Sequence, residues 1–322
     1  MKLTEKCSES RLAQARAQSP AKRLQNVYLT WNKKNCVRFA CSFCRLKAGL
    51  KTLEMSNKKL KIIILTHGGA ERLLELLSEI KTVEIAGVFV ETATEKRRSF
   101  KEKIKRSIRY DGYFATIKKI FKSENQESKV VQTSQDDLEK CVAKLKIPLH
   151  KIENYHAEKA IKLLKEQNAD LGILYGTNII KEAVFSIPRL GSINIHQGLA
   201  PIYRGGPTVF WELFNDEKEV GITIHFVAPK VDTGDIILQK TVKLEYDFLR
   251  YGLDYEAFLQ DFRASLKEPS AQLLAEAVEL ISEGKEQRAK QDTSFGKRYK
   301  LPIKSEKDAL LRVLKKRLES TF

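Results

Sequence analysis

A short apolar run followed directly by a glycine turn and an amphipathic helix is the feature that most constrains this fold. The run Lys61–Thr66 (KIIILT) is suited to a buried parallel strand. The turn His67–Gly69 leads into a helix predicted over Glu71–Ile80, and Glu84–Glu91 (EIAGVFVE) is predicted as the next strand. This order predicts an α/β fold with a doubly wound, mostly parallel sheet, whose ligands lie beyond the carboxyl ends of the strands.

The rest of the chain continues this alternation of helix and strand. Helices are predicted around Gln135–Leu145 and over His156–Gln167, and a strand over Leu171–Tyr175. A helical region over Tyr255–Glu283 and a last helix from about Ser305 to Leu318 follow. We therefore expect a Rossmann-like sheet with a helical C-terminal region.

Polar side chains project from the run Ser192–His196. Alternation along a strand sends its two isoleucines to one face and places Asn194 and His196 together on the other. Glycine and proline residues in 201–207 then break the strand, and a helix is predicted over Thr208–Asn215. An amide and an imidazole are thus expected side by side at a strand end.

A second strand, predicted over Val220–Val227, ends in a polar loop that contains Asp232. Gly234 is expected to supply the positive φ of the turn in this loop. An amide can donate N–H groups to an oxygen that becomes negative, while an imidazole beside a carboxylate can relay a proton. These residue types predict attack on a carbonyl, although Asn194 and His196 can also be read as capping or solvated residues.

The motifs around these side chains resemble those of a known family. They are Asn194-x-His196, Gly198-Leu199-x-Pro201-x-Tyr203-Arg204-Gly205, Gly221-x-Thr223-x-His225 and Asp232-Thr233-Gly234-Asp235-Ile236-Ile237. The chain resembles the 10-formyltetrahydrofolate-dependent formyltransferases, which act on glycinamide ribonucleotide, methionyl-tRNA or sugar nucleotides. The likeness extends more loosely from about Leu60 to about Pro302. It implies 10-formyltetrahydrofolate as co-substrate, no metal, and Asn194, His196 and Asp232 as catalytic residues.

The resemblance also implies which residues bind the two substrates. For the folate these are Leu174, Gly176, Asn178, Ile179, Val227, Ala228 and Val231. For the acceptor they are Gly68, Gly69, Gln197, Gly198 and Glu268. The Gly68–Gly69 turn can cradle an anion with backbone N–H groups at a helix N-terminus, or serve only as a turn. It lacks the fuller glycine and asparagine loop of the glycinamide ribonucleotide enzymes, which disfavours that substrate.

The remaining histidines are not among the predicted catalytic residues. His225 matches a recurrent family position on the second strand, and the alternative is a histidine whose hydrogen bonds are satisfied within the core. His67, His150 and His156 are interpreted as ordinary surface or turn residues.

The N-terminal region differs from the rest in composition. Residues 1–54 contain twelve Lys and Arg against three Glu, and four of the five cysteines. A zinc site around Cys41 and Cys44 and an arginine-rich presequence are two interpretations. We favour a third, in which 1–54 is disordered or an over-extension upstream of a start at Met55. The predicted domains are then this extension, a formyltransferase catalytic domain over 55–245, and a helical C-terminal region with a basic tail over 246–322.

A net charge of +17 predicts an anionic partner. Residues 95–125 are densely basic with apolar residues at helical spacing, which predicts a helical insertion on the sheet. Its outer face is either solvated or a patch that attracts phosphorylated or nucleic-acid substrates. No apolar run reaches the roughly 20 residues of a membrane span. Because the sequence shows neither a disulfide framework nor a secretory signal, we expect a cytoplasmic protein. A homodimer is one possible assembly.

Three functions follow from these observations. The first is formyl transfer to a small anionic amine, either an amino-sugar nucleotide or glycinamide ribonucleotide. A methionyl-tRNA enzyme is less favoured because the tail is short for the additional β-barrel domain of those enzymes. The second is a formyltetrahydrofolate hydrolase, in which water replaces the amine. The third is an inactive basic relative that binds nucleic acid.

Overall fold

The computed structural model describes residues 59–92, 100–112 and 136–321. They belong to one unit of the chain, Lys58–Phe322. The predicted extension 1–54, with its cysteine cluster, and most of the basic segment 95–125 lie outside the described residues. No helix in the described ranges is long and apolar enough to cross a membrane.

Nine strands are present in the described residues. Seven of them form the main sheet: β1 (Leu60–Thr66), β2 (Val83–Glu91), β3 (Leu149–Ile152), β4 (Leu171–Tyr175), β5 (Ser192–His196), β7 (Glu219–Phe226) and β8 (Ile236–Lys243). The other two, β6 (Tyr203–Gly205) and β9 (Lys297–Tyr299), form a separate parallel pair.

Ten helices accompany these strands in the same ranges. They are α1 (Glu71–Glu79), α2 (Phe100–Asp111), α3 (136–145), α4 (Glu158–Glu166), α5 (Glu182–Phe185), α6 (Phe210–Phe214), α7 (Phe248–Tyr251), α8 (Tyr255–Ser265), α9 (Lys267–Ser282) and α10 (Lys304–Thr321). The C-terminal region is helical, as predicted, and the single predicted region Tyr255–Glu283 is divided at Leu266 into α8 and α9.

The order of strands across the main sheet is β3-β2-β1-β4-β5-β7-β8. Strands β3, β2, β1, β4 and β5 are parallel, while β7 runs antiparallel to β5 and β8 antiparallel to β7. The chain builds outward from β1 to β3 and then crosses to β4 on the other side of β1. This reversal confirms the predicted doubly wound α/β fold and creates a crevice between the carboxyl ends of β1 and β4.

The core explains why β1 is a continuous apolar run. Ile62–Leu65 are at most 2% exposed, as expected for a strand covered on both faces. Helix α1 buries Leu73, Leu74 and Leu77 at helical spacing. Its neighbour α9, which packs against α1, is also largely buried along one side. The core therefore holds the ends of β1 and α1 in a defined position.

The helix after the broken strand is shorter than the prediction of Thr208–Asn215. It begins only at Phe210, because Val209 has a φ of 74°. That backbone conformation is rare for a β-branched residue. Arg263 on α8 donates from Nε and Nη2 to the Thr208 carbonyl at 2.9 and 2.8 Å. The loop before α6 is thereby attached to the C-terminal helices.

The short sheet attaches the C-terminal basic segment to the loop after β5. In the β6–β9 pair, Tyr203 lies opposite Lys297 and Gly205 opposite Tyr299. A Cβ on Gly296 would stand 1.9 Å from the Pro201 carbonyl oxygen, so glycine is required by this close approach. Residues distant in sequence therefore form one wall around the end of β5.

Helix α2 is the described part of the basic segment 95–125, and its helical prediction is confirmed there. It contacts the C-terminal helix α10, where Lys307 Nζ lies 3.2 Å from Asp111. The guanidinium groups of Arg106 and Arg109 each lie 5.8 Å from the centre of the Tyr110 ring.

Candidate active site

Asn194 and His225 are cross-strand neighbours at the carboxyl end of β5. They form a pair in the antiparallel β5–β7 register, and Asn194 Nδ2 lies 3.4 Å from His225 Nε2. The other ring nitrogen, His225 Nδ1, donates to the Phe226 carbonyl at 2.7 Å, since a carbonyl oxygen can only accept. His225 is 2% exposed and is held in place on both sides. His225 is thus a buried core residue with contacts at both ring nitrogens, one of them to the candidate catalytic amide.

His196 is fixed by the loop that follows its own strand. Its Nε2 donates to the Tyr203 carbonyl at 2.6 Å, and its Nδ1 lies 3.5 Å from Asp232 Oδ2. Burial lowers the pKa of His196, and the charge of Asp232 and the Tyr203 carbonyl only partly oppose that effect. Near neutral pH the imidazole is therefore uncharged, with its basic nitrogen, Nδ1, on the side of the carboxylate.

Asp232 lies between the two imidazoles. Its Oδ1 is 3.5 Å from His225 Nε2, its Oδ2 is 3.5 Å from His196 Nδ1, and Oδ2 also accepts from the Gly205 N–H at 2.8 Å. Burial raises the pKa of Asp232, but the contacts with His225, His196 and Gly205 outweigh it and hold the pKa well below its usual range. The carboxylate is thus ionised throughout the neutral range.

The expectation that Gly234 supplies the positive φ of this loop is wrong. The residue with positive φ is Asp232 itself, at 51°, a conformation that aspartate tolerates better than most residues. Gly234 is needed for a different reason: a Cβ there would stand 1.8 Å from the Phe226 carbonyl oxygen. Glycine is required at position 234 because the loop passes close to the backbone of Phe226, and not because of a local turn.

Gly198 lies against the imidazole of His196. A Cβ on Gly198 would stand 2.4 Å from His196 Nε2 and 2.8 Å from the Tyr203 carbonyl oxygen. Contacts this short require the ring or the loop to move. The residue predicted to bind the acceptor is therefore also one that leaves room for the imidazole of His196.

The predicted folate-binding residues lie on both sides of β5. Leu174 pairs with Asn194 in the β4–β5 register, and its side chain is buried in the core cluster against which Val227 packs. After β4 the chain turns at Gly176, with a φ of 65°, and exposes Asn178 and Ile179. Ala228 and Val231 lie half-buried in the loop that leads to Asp232. The structure thus brings the two loops to the edge occupied by the candidate catalytic residues.

The predicted anion cradle after β1 is already engaged in internal contacts. The Gly68 N–H donates to the Thr66 hydroxyl at 3.0 Å, and that hydroxyl lies 3.1 Å from the Gly68 carbonyl oxygen. Gly69 has a φ of 71° and open space around it. The first turn of α1 carries an acidic residue, Glu71. One backbone donor is thereby occupied, and the negative charge of Glu71 in the same turn disfavours an anion there.

The other predicted acceptor residues lie on or beside α9. Glu268 accepts from Arg72 Nε at 3.0 Å and from its Nη2 at 3.1 Å. Gln197 Nε2 donates to Ser270 Oγ at 3.3 Å. Gln197 therefore couples the end of β5 to the start of α9.

Sequence reasoning did not identify a carboxyl group next to the site. Glu212 on α6 is 3% exposed and lines a small pocket together with His196 and Gln197. Burial raises the pKa of Glu212 to about 7, even though the Val209 N–H stabilises its charged form. Its position as the third residue of α6 is the usual place for a glutamate that caps a helix N-terminus, and this spacing was the available signal.

A second imidazole–carboxylate pair was also not identified. His67 Nε2 lies 2.9 Å from Glu91 Oε2, where β1 and β2 end side by side. Glu91 Oε1 accepts from the Tyr155 N–H at 3.0 Å. Adjacent strand ends were the signal that could have revealed this pair. Within the described ranges, no group of three or more histidine, cysteine or acidic residues is arranged to hold a metal ion.

A family model described as formyl transferase matches residues 60–247. The methionyl-tRNA formyltransferase of Bacteroides fragilis is 37% identical over 98 residues, which is 30% of either chain. That of Chlorobium chlorochromatii is 30% identical over 115 residues, 36% of this chain and 37% of the relative. The chain thus matches only about a third of the length of these curated relatives.

Solved structures with a similar fold include two transferases. Glycinamide ribonucleotide transformylase 1 from Symbiobacterium toebii aligns with a TM-score of 0.47 and 18% identity over 73% of this chain and 95% of that one. A sugar N-formyltransferase from a Shewanella species aligns with a TM-score of 0.46 and 15% identity over 75% of this chain and 76% of that one.

Proposed function

The chain belongs to the formyl transferase family, and on that premise we propose that it transfers the formyl group of 10-formyltetrahydrofolate to a primary amine. The observation that best supports this proposal is the convergence of Asn194, His196 and Asp232 at the ends of β5 and β7. An amide donor, a neutral imidazole and an ionised carboxylate are the groups that attack on a formyl carbonyl requires.

In the proposed reaction the lone pair of a neutral amine forms a bond to the formyl carbon, and the carbonyl oxygen becomes negative. Asn194 has two amide hydrogens and can donate one of them to this oxygen. Return of the electrons to the carbonyl then breaks the bond between the formyl carbon and N10 of the folate. Such a donor acts mainly where charge develops, so it lowers the barrier more than it strengthens substrate binding.

His196 is proposed to carry the proton from the attacking amine to N10. Its Nε2 is bound to the Tyr203 carbonyl, so Nδ1 is the nitrogen that can accept a proton. The imidazolium that forms lies 3.5 Å from the ionised Asp232, which stabilises it. Donation to N10 releases tetrahydrofolate and returns His196 to the neutral state, so the proton is conserved.

The loops after β4 and β7 are the proposed folate pocket. Because the Leu174 and Val227 side chains lie in the core cluster, it is the backbone around them that would contact the pterin. Ile179 is 70% exposed, and a Cβ on Gly176 would have no neighbour within 4 Å. An exposed apolar side chain next to the free space at Gly176 fits contact with a flat heterocycle, and it follows β4, beside the reversal in strand order.

The proposed acceptor is a small anionic amine, with an amino-sugar nucleotide ahead of glycinamide ribonucleotide. Residues 1–54 carry +9 of the net charge of +17, and the remaining +8 supports an anionic acceptor. Glu71 in the first turn of α1 is unfavourable for a phosphate at that turn, as is the use of the Gly68 N–H by Thr66. The named relatives favour a second candidate, methionyl-tRNA, whose formylated group is also a primary amine.

The test is to incubate the full chain with 10-formyltetrahydrofolate, alone and with each amine in a panel, and to follow tetrahydrofolate release by absorbance. The panel contains an amino-sugar nucleotide, glycinamide ribonucleotide and methionyl-tRNA. We expect release only when one amine is present, together with formylation of that amine by mass spectrometry. Release without any amine would indicate a hydrolase, and the lack of release under every condition would reject catalysis.

A further inference from the structure

A groove of about 760 Å³ opens beside the candidate catalytic residues. Its floor contains the nearly buried rings of Phe210 and Tyr255, and its walls come from the loop before α6, from α8 and from the start of α10. Gln197 and Pro207 line both this groove and the small pocket that contains His196. The groove therefore reaches the residue adjacent to the catalytic imidazole, and its size suits a small organic ligand.

Positive charge dominates the lining of this groove. The residues that line it include three cations, Arg263, Lys267 and Lys307. Glu256 is the single carboxylate among them. Lys307 Nζ is shared between Asp111 at 3.2 Å and Glu256 at 3.9 Å. Lys307 is therefore engaged by two carboxylates, and the lining contains two further cations.

Arg263 and Lys267 are those two cations. They are four residues apart, at the end of α8 and the start of α9, so that both can face one ligand. Arg263 uses Nε and Nη2 to hold the Thr208 carbonyl, which also fixes the direction of its guanidinium group. Lys267 is exposed and has no carboxylate partner among residues 59–92, 100–112 and 136–321. One oriented and one unpaired cation at a groove form a site for a phosphate.

The turn after β1 has the opposite character. Glu71 stands in the first turn of α1, and Arg72 is held by Glu268. No unpaired cation is contributed there by these residues. The groove side is electrostatically the better location for an anionic group.

We propose that the groove between α8, α9 and α10 binds the phosphate-bearing part of the acceptor, with Arg263 and Lys267 as its ligands. This inference rests on the proposed function only where it identifies the ligand as the formyl acceptor. Phosphate binding itself does not require turnover. The phosphate belongs either to a small nucleotide that carries the amine or to the terminal nucleotide of an RNA. In both cases Gln197 lies between the bound phosphate and the catalytic imidazole.

The test compares Lys267→Glu with the matched control Lys159→Glu, which makes the same charge change on exposed α4. Binding of uridine diphosphate to the full chain is measured by titration calorimetry at low salt, with uridine as the probe that lacks phosphate. We expect Lys267→Glu to weaken uridine diphosphate binding by at least about tenfold and Lys159→Glu to leave it within about twofold, since charge-assisted hydrogen bonds contribute strongly. Uridine should bind far more weakly than uridine diphosphate to every variant.

A second arm uses a single-stranded RNA of ten nucleotides as the probe. Tighter binding of this RNA than of uridine diphosphate, with the same loss in Lys267→Glu, would assign the phosphate to an RNA acceptor. Equal affinity of the wild type and Lys267→Glu for both probes overturns the proposal, and so does failure of both probes to bind. Circular dichroism and thermal unfolding confirm that each variant is folded.

The two proposals fail in different ways. If no amine supports turnover but phosphate binding depends on Lys267, formyl transfer is rejected and the groove remains a phosphate site. If an amino-sugar nucleotide is formylated and its KM is the same in Lys267→Glu, the groove assignment is rejected and formyl transfer remains.

Discussion

Two imidazole–carboxylate pairs stand at the same edge of the main sheet, and they differ in more than distance. His67 and Glu91 approach to 2.9 Å, with side chains 30% and 9% exposed. His196 and Asp232 are 3.5 Å apart, with side chains 11% and 10% exposed. The shorter contact thus belongs to the more solvated imidazole, and distance alone does not identify the reactive pair.

The surroundings of the two pairs explain the difference. Asp232 also contacts a second imidazole and a backbone N–H, and Asn194 stands next to that second imidazole. Glu91 has the Tyr155 N–H as its additional partner. Under the proposed mechanism, Asn194 acts as an oxyanion donor beside this buried pair, which suits the pair to acyl transfer.

Replacing side chains of each pair by alanine tests the difference between the two pairs most directly. We expect His196→Ala and Asn194→Ala to reduce kcat by about 100- to 1000-fold, because each removes a group that acts in the transition state. The matched control His67→Ala should retain activity within about threefold of wild type, a change of less than about 1 kcal/mol. Initial rates with saturating 10-formyltetrahydrofolate measure this, and folded His196→Ala with near-normal kcat would refute the assignment.

Asp232→Asn tests whether charge at the pair matters. Its kcat should fall by about 100-fold, since an imidazolium on His196 would lose its stabilising partner. The carboxylate opposes the effect of burial on the pKa of His196, so without it that pKa falls further. In a plot of kcat against pH, the fall in kcat at acidic pH should therefore begin at a lower pH than in the wild type. If this fall does not move, another group controls it.

Gly198→Ala tests the space around the imidazole. Its Cβ would press on His196 Nε2, so we expect kcat to fall by about tenfold, a barrier increase of about 1.4 kcal/mol. Gly284→Ala is the control, because Gly284 has a φ of 66° and open space around it. That variant should lose stability through backbone strain while keeping kcat. Equal kcat in the two variants would show that stability alone explains any loss.

The buried imidazole should also appear in the pH dependence of stability. The pKa of His196 is lowered in the folded state, so below about pH 6.5 the unfolded chain binds the proton first. Stability should therefore decrease as pH falls through this range, by at most about 1.4 kcal/mol per pH unit from this residue. Urea unfolding at pH 7 and pH 5 measures the change, which should be smaller in His196→Ala than in the wild type.

The smallest effect is expected at the solvated pair. Glu91→Gln keeps the shape of the side chain and can still accept from Tyr155, so kcat should change by less than about twofold, or about 0.4 kcal/mol. A tenfold or larger fall in kcat, with normal circular dichroism, would show that His67 and Glu91 take part in the reaction and would remove the distinction between the pairs.

Part of the site followed from local rules. Alternation placed Asn194 and His196 on one face of a strand, and the polar loop after the next strand placed Asp232 near them. The roles of Gly198, Gly234 and His225 did not follow, because each depends on a segment distant in sequence or on strand register. The unsuitability of the Gly68–Gly69 turn for an anion did not follow either. The Thr66 hydroxyl accepts from the Gly68 N–H, and Glu71 adds negative charge in the first turn of α1.

The sequence by itself determined the doubly wound α/β fold, because periodicity is a property of neighbouring residues. Its motifs also pointed to Asn194, His196 and Asp232, through their resemblance to the formyltransferases. Only the tertiary structure decided which imidazole is buried, which residue of the Asp232 loop takes positive φ and where unpaired positive charge lies. Burial, close approach and electrostatic balance are sums over groups that the chain brings together from distant positions. They become defined only when β5, β7, α8 and α9 are packed against one another.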